Sequence, residues 1–176
     1  MPIIRAAEPG DAAALATLAT LVFTATYGAA LPSASLQRYV AQTFSETAVL
    51  ADLANANHTY FVAVQADQLI GFSQLTNTPV PSCVVRTPAI ELARFYVASE
   101  QQGRGVAGVL LETTQAAAWQ SSYRALWLCV WEKNARALAF YQKWGFAPVG
   151  KHDIVVEETI FQDHILVKEL DKRSSA

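Results

Sequence analysis

The chain has 176 residues, 52% of them hydrophobic, which suits one sizeable core and is short for two independent domains. A net charge of −2 excludes the strongly basic surface of a general nucleic-acid-binding protein. Polar residues interrupt every apolar stretch of about eighteen residues, and MPIIRAAEPGD lacks the regions of a signal peptide. Cys83 and Cys129 are too few for a disulfide framework or a zinc site. We therefore expect one domain over residues 1–176, cytoplasmic, without metal, nucleic acid or membrane as partners.

Hydrophobic periodicity predicts an alternation of strands and helices along the chain. In chain order we predict a strand at 1–7, helices at 12–28, 31–44 and 45–56, strands at 58–66, 68–77 and 89–97, a helix at 105–120, a strand at 124–131, a helix at 134–145, and strands at 146–156 and 159–170. Turns at Asp67-Gln68 and Glu157-Glu158 join two strand pairs as hairpins, and prolines make the segment before residue 89 an irregular loop. The order predicts an α/β fold with a mixed sheet.

Local signals also indicate how the helices begin, end and pack. Asp11 is placed to cap the first helix, and Gly145 is placed just beyond the end of the last one. Helical spacing predicts that the following residues of the helix at 105–120 share one face against the sheet: Val106, Val109, Leu110, Thr113 and Ala117.

The segment QQGRGVAG, residues 101–108, combines glycines with a predicted helix start. Backbone N–H groups at a helix start bind phosphate, because that end of the helix carries a partial positive charge. Read from Gly103 the spacing is the G-x-G-x-x-G of a dinucleotide site, and read from Gln102 it is Q-x-x-G-x-A, which suits the pyrophosphate of coenzyme A. The five residues between the strand and Gly103 and the charge of Arg104 favour the second interpretation. A tight strand-to-helix turn without any ligand is a further alternative.

Two longer runs carry a family resemblance. ELARFYVASEQQGRGVAGVLL and LWLCVWEKNARALAFYQKWGF, in that order, resemble the GNAT superfamily of acyl-CoA N-acyltransferases. The resemblance implies a mixed, mostly antiparallel central sheet of about seven strands flanked by helices on both faces. It also implies that acetyl-CoA is the acetyl donor and that the protein can pair as a homodimer.

Site residues carry over from the resemblance position by position. The end of the strand at 89–97 would pair with the amides of the pantetheine arm, the loop would bind the pyrophosphate, and Asn134 and the helix after it would contact the cofactor. Asn134 is also a candidate helix N-cap. The implied cofactor-binding residues are Phe95, Tyr96, Val97, Gln102, Gly103, Arg104, Gly105, Val106, Ala107, Gly108, Asn134, Ala137 and Phe140.

Two residues are candidates for proton transfer. Tyr141 matches the family tyrosine that protonates the leaving thiolate, with a core tyrosine as the alternative. Glu91, on the strand at 89–97, is the candidate base, with a structural partnership to Arg94 as the alternative.

The acceptor is expected to be a polyamine or another small primary amine, because the amino-acid sequence of the second run resembles that of bacterial enzymes acting on such amines. Tentative acceptor-site residues are Phe23, Tyr27, Trp131 and Glu132. His152, Asp153, Asp163 and His164 on the last hairpin are weaker candidates, for which solvated positions are the favoured interpretation. A protein or peptide acceptor and a non-catalytic acyl-CoA-binding sensor stay open as alternatives.

Overall fold

The computed structural model describes residues 1–171. The helices are α1 (Ala12–Tyr27), α2 (Ser33–Thr43), α3 (Glu46–Ala54), α4 (Val106–Gln120) and α5 (Ala135–Lys143), with short 3₁₀ helices at Pro9–Asp11 and Ser99–Gln101. The strands are β1 (Ile3–Ala6), β2 (His58–Gln65), β3 (Gln68–Thr76), β4 (Ala89–Val97), β5 (Ala125–Trp131), β6 (Ala147–Val156) and β7 (Thr159–Glu169). Every predicted helix and strand is present, with ends that differ by a few residues.

The seven strands form one sheet in the order β1-β2-β3-β4-β5-β7-β6. β4 and β5 are parallel, through pairs such as Glu91 with Trp127, whereas β1–β2, β5–β7 and β6–β7 are antiparallel. The parallel pair follows from the helical crossover of α4, since consecutive parallel strands need such a connection. The predicted mixed, mostly antiparallel sheet is therefore confirmed. Among residues 1–171, no helix has both the length and the apolar character needed to cross a bilayer.

Residue contacts divide the chain into two compact units. Unit 1 comprises residues 1–75 and 94–114, and unit 2 comprises residues 76–93 and the chain from Gln115 onward. The chain passes between the units at the end of β3, within β4 and within α4. One domain over residues 1–176 stays a prediction.

Unit 1 has a core in which β2, β3 and the end of β4 pack on α4. Its buried cluster consists of Ala63, Ile70, Val97, Val106 and Leu110. Gly71 on β3 allows this close packing, because a Cβ there would lie 3.1 Å from the Tyr96 carbonyl oxygen and 3.2 Å from Val97 Cγ2.

The predicted face of α4 is shifted by one position in the structure. Val109 is 43% exposed, whereas Leu110 and Thr114 are fully buried. The Thr114 hydroxyl can be buried because it lies 2.7 Å from the Ser73 hydroxyl and donates to the Leu110 carbonyl. Val109 was predicted to be buried because it is apolar. Instead Thr114, whose hydroxyl is hydrogen-bonded, occupies a buried position on this face of α4.

The predicted capping role of Asp11 is also wrong. Asp11 has helical backbone angles and makes no cap to α1. Its carboxylate accepts two hydrogen bonds from Arg5, at 2.7 and 2.8 Å, and one from the Glu8 N–H at 2.8 Å. Arg5 lowers the pKa of Asp11 through these bonds, because a bidentate pair favours the charged form.

Unit 2 has a core between the sheet and the segment that joins β3 to β4. The buried members are Val84, Ala89, Ala125, Trp127 and Ile165. The last hairpin turns at Glu157, whose φ is +56°, and Gly145 follows α5 with φ +84°. The Glu157-Glu158 turn and the helix end before Gly145 are therefore confirmed, whereas the first hairpin turns at Ala66-Asp67, one residue earlier than predicted.

Candidate active site

The loop before α4 belongs to unit 1 and has the backbone that its glycines allow. Gly103 and Gly105 have φ values of +77° and +85°, in the left-handed region that other residues rarely adopt. A Cβ on either glycine would meet no atom within 4 Å. Backbone conformation rather than crowding therefore requires glycine at these two positions.

The N–H groups of this loop divide into two sets. The Gln102 and Arg104 N–H groups donate to the carbonyls of Ser99 and Gln101 at 3.3 Å, within turns. The first helical bond of α4 runs from the Val109 N–H to the Gly105 carbonyl at 3.2 Å, so three N–H groups of the first turn precede it. These three groups, on residues 106–108, are better placed to bind phosphate than the whole predicted run from Gln102.

The end of β4 lies directly before this loop. The Ala98 N–H donates to the Ile70 carbonyl at 2.9 Å, and Gln102 Nε2 lies 3.4 Å from the Val97 carbonyl oxygen. Phe95 packs against the core cluster of unit 1, and burial raises the pKa of Tyr96 to about 12. The predicted pantetheine strand is thus anchored to β3 and α4.

The predicted aromatic residues of α1 form a cluster with Tyr39 on α2 and with Phe44, which directly follows α2. The Phe23 ring centroid lies 4.6 Å from that of Tyr27 and 4.7 Å from that of Tyr39, and Phe44 lies at 5.5 Å from Phe23. Phe23 is buried, whereas Tyr27 is half-buried. Phe23 therefore supports the cluster from within, and Tyr27 retains accessible surface.

A charged network next to this cluster was not predicted from the sequence. Arg94 Nη1 donates to Asp52 Oδ2 at 2.7 Å and to the Tyr60 hydroxyl at 3.0 Å, and that hydroxyl donates to Asp52 at 2.9 Å. The guanidinium also lies over the Phe44 ring, 5.3 Å from its centroid. Arg94, considered in the sequence as a partner for Glu91, takes Asp52 as its partner, which is 42 residues away along the chain.

Unit 2 contains Asn134, Ala137, Phe140 and Tyr141 on or just before α5. Asn134 Oδ1 accepts a hydrogen bond from the Ala137 N–H at 3.1 Å, so the N-cap interpretation is confirmed. Tyr141 is 7% exposed, and its ring centroid lies 5.4 Å from those of Phe140 and Phe146. The packing fixes the position of the phenol ring on α5.

The candidate base Glu91 is half-buried on β4. Its Oε2 accepts a hydrogen bond from the Thr78 hydroxyl at 2.7 Å, so the segment after β3 positions the carboxylate. Trp131 is half-buried at the end of β5, and Glu132 lies 3.7 Å from Lys151 Nζ as a partly exposed ion pair. Unit 2 therefore contains Glu91, Tyr141, Trp131 and Glu132 from the predicted site.

Asp163 departs from the interpretation of the last hairpin as solvated. It is only 4% exposed, whereas His152 and Asp153 are exposed and His164 is half-buried. Burial raises the pKa of Asp163 to about 6, and His152 acts in the opposite direction. The signal was in the sequence, because alternation in a strand places residue 163 on the face of Phe161 and Ile165.

The family model of the acetyltransferase (GNAT) family matches residues 24–146, more than half of the chain. The chain belongs to the GNAT family. An uncharacterized N-acetyltransferase in the pepI 3' region of Lactobacillus delbrueckii subsp. lactis is 24% identical over 148 residues, which are 84% of this chain and 86% of that protein. A mycothiol acetyltransferase of Jonesia denitrificans is 33% identical over 95 residues, 54% of this chain but only 28% of that protein. The predicted enzyme class, an N-acetyltransferase of the GNAT family, is confirmed.

Solved structures with the same fold include two acetyltransferases. The PaiA N-acetyltransferase of Thermoplasma acidophilum, solved in complex with coenzyme A, has a TM-score of 0.77 at 20% identity and covers 96% of this chain and 99% of its own. The ribosomal-protein-S18-alanine N-acetyltransferase of Escherichia coli has a TM-score of 0.70 at 18% identity, with 97% and 95% covered. At such identities these likenesses concern the fold.

Proposed function

We propose that this GNAT protein transfers the acetyl group of acetyl-CoA to a small primary amine, with polyamine-like amines as the first candidates. The observation that carries the proposal is the loop before α4, where Gly103 and Gly105 take left-handed backbone angles directly before a helix start. Such a start binds the pyrophosphate of coenzyme A without a steric penalty from side chains. The T. acidophilum structure, solved with coenzyme A, supports this choice of donor.

Direct attack of the amine on the thioester is favoured over an acyl-enzyme intermediate. Burial raises the pKa of the Cys129 thiol to about 12, so this cysteine is a poor nucleophile at neutral pH. In direct transfer the amine nitrogen bonds to the carbonyl carbon, the carbon–sulfur bond breaks, and coenzyme A leaves as a thiolate. The ammonium form of the amine loses one proton before the attack and a second as the amide forms, and an acid gives one proton to the thiolate.

Glu91 and Tyr141 are the proposed proton-transfer residues. An alkylamine has a pKa near 10.4, so most of it is protonated at neutral pH, and a carboxylate such as Glu91 helps to remove that proton through water. A phenol with a pKa near 10 is a suitable donor to the thiolate. The packing of Tyr141 between Phe140 and Phe146 supports this role, because a general acid must be held in place.

The local charge of residues 151–163 supports a cationic acceptor. This segment contains Asp153, Glu157, Glu158 and Asp163 against a single basic residue, Lys151. A local excess of negative charge attracts ligands of the opposite sign. A protein N-terminus or lysine is the second candidate acceptor.

The proposal is tested by measuring coenzyme A release from acetyl-CoA with a panel of polyamines, simple monoamines, amino acids and short peptides. Tyr141→Phe removes only the hydroxyl, and we expect kcat to fall by roughly 10²–10⁴-fold with the KM for acetyl-CoA nearly unchanged. The matched control is Tyr123→Phe, at a half-buried position between α4 and β5, which should keep wild-type kcat.

An unchanged kcat in Tyr141→Phe would remove this residue from the chemistry. Binding of acetyl-CoA without release of coenzyme A by any amine would instead favour the acyl-CoA sensor over an enzyme.

A further inference from the structure

Three strands of unit 2 place several side chains on one side of the sheet. Asp163 on β7 pairs with Trp131 on β5 and with His152 on β6, and paired residues project to the same side. Burial raises the pKa of the Cys129 thiol, and the negative charges of Glu91 and Asp163 act in the same direction. Trp127 pairs with Glu91, and Ile165 pairs with Cys129. Strand alternation then places Glu91, Cys129 and Asp163 on one side of the sheet.

Asp163 is unusual on this side because it is buried, and the exposed His152 is the one charged group that lowers its pKa among residues 1–171. Among residues 1–171, no group forms a hydrogen bond with its buried Oδ1, although the residue is only 4% exposed. Buried carboxylates in proteins are normally paired, because an unpaired charge away from water is costly. A carboxylate kept in this state is suited to binding a cation that is not part of the chain.

Aromatic rings flank the same carboxylate. Trp131 is the strand partner of Asp163, and Phe161 precedes it by two residues on the same side of β7. The two rings pack edge to face, with centroids 5.3 Å apart. An ammonium group gains from a carboxylate and from aromatic faces together, whereas a phosphate or carboxylate ligand would be repelled.

We propose that Asp163 binds an ammonium group of the acceptor, with Trp131 and Phe161 as the aromatic wall, and that this selects amines carrying a second amino group. The proposal rests on the proposed acetyl transfer, in which Glu91 serves the reacting amino group. Asp163 is an anchoring residue and takes no part in the proton transfers.

The register of the strands indicates the length of such an acceptor. Glu91 pairs with Trp127, and Asp163 pairs with Trp131, so the two acidic residues are separated by two strand spacings and by four residues along a strand. With about 4.8 Å per spacing and about 3.3 Å per residue, their Cα atoms are about 16 Å apart. An acceptor that reaches from one carboxylate to the other must cover much of this separation, so a long diamine or triamine fits better than a short diamine.

The test compares 1,8-diaminooctane with 1-aminooctane as acetyl acceptors. The two have the same apolar body and differ in the second amino group. In the wild-type protein we expect the kcat/KM of the diamine to exceed that of the monoamine by about tenfold or more, the effect of one charge-assisted hydrogen bond. Asp163→Asn should remove this preference through the KM of the diamine, with kcat nearly unchanged. Asp67→Asn, the same change at an exposed position of the turn between β2 and β3, should keep it.

A wild-type protein without preference for the diamine, or an unchanged preference in Asp163→Asn, would overturn the anchor. If the wild type releases no coenzyme A with either amine, the proposed acetyl transfer fails instead. Calorimetric binding of 1,8-diaminooctane to wild type and Asp163→Asn then still tests the anchor, which equal affinities would overturn.

A wild-type measurement covers the case in which Asp163→Asn does not fold. Because the pKa of Asp163 is raised to about 6, protonation at lower pH should abolish the preference for the diamine as the pH falls through this value. The titratable groups that interact with Asp163 are His152 on β6 and Cys129 on β5, and Glu91 lies farther away on the same side of the sheet. A preference that is constant from pH 8 to pH 5 would contradict the anchor.

Discussion

Two aspartates, one in each unit, differ in how their charge is satisfied. Asp52 of unit 1 accepts hydrogen bonds from Arg94 and Tyr60, and its side chain is 28% exposed. Asp163 of unit 2 is more deeply buried, yet its Oδ1 has no hydrogen-bond partner among residues 1–171. The first carboxylate holds α3 to β2 and β4, whereas Oδ1 of the second accepts no hydrogen bond from any element among residues 1–171. An acidic residue that does not serve the fold is a better candidate for binding a ligand.

The largest change in stability is expected when the Asp52 carboxylate is removed. Asp52→Ala leaves the Arg94 guanidinium, 20% exposed, without its carboxylate, and we expect a loss of about 2–3 kcal/mol in the free energy of unfolding. Chemical denaturation measures this loss. Glu112→Ala, at an exposed position of α4, is the control and should change stability by less than about 0.5 kcal/mol. If the two variants are equally stable, the Arg94 network is not structural and the contrast with Asp163 disappears.

For Asp163 we expect the opposite effect on the free energy of unfolding, because its charged form destabilises the folded state. A pKa raised from 3.8 to about 6 means that the folded state holds the proton more tightly than the unfolded chain. Stability contributed by this group is therefore present below about pH 4 and lost as the pH rises toward about 6. At pH 8 the cost is at most about 3 kcal/mol, since one pKa unit is about 1.4 kcal/mol.

Asp163→Asn removes the ionisation, so the variant should be more stable than the wild type at pH 8, by about 1–3 kcal/mol, and nearly equal to it at pH 4. Thermal unfolding at both pH values measures the difference. A variant that is destabilised equally at pH 8 and pH 4 would show that Asp163 has a structural role like that of Asp52.

The same contrast explains what could be predicted from the sequence. Strands, helices and hairpin turns follow from local patterns, such as the alternation in TIFQDHILVKEL and the turn at Glu157, so the family fold was predictable. The partnership of Arg94 with Asp52 joins residues 42 positions apart and left no local signal. The shift of the α4 face depended on Ser73 meeting Thr114, which lies 41 positions away. Which polar side chains are satisfied is decided by tertiary contacts.

The residues of the candidate site also divide into those that the local sequence predicts and those that it does not. The glycines of the loop could be identified because a positive φ is a property of single residues, and Gly103 and Gly105 both have one. The interpretation of Asp163 as solvated was wrong because a charged residue is seldom fully buried, and that general rule was given more weight than the strand alternation. Exceptions to the rule are informative, since a chain keeps a costly residue only where something compensates for it.

The smallest change in stability is expected at Gly71. A substitution there tests whether packing against β3 determines the position of the end of β4 in unit 1. Gly71→Ala places a Cβ 3.1 Å from the Tyr96 carbonyl oxygen, so β4 must move by a few tenths of an ångström. We expect a loss of about 1 kcal/mol in stability and a higher KM for acetyl-CoA, because the pantetheine arm is proposed to pair with this strand. Gly10→Ala, where a Cβ meets no atom within 4 Å, should leave both unchanged. The preference for the diamine should survive in Gly71→Ala, since the acceptor anchor lies in unit 2. Loss of that preference would mean that donor and acceptor binding are not separable, and that Asp163 cannot be assigned to the acceptor alone.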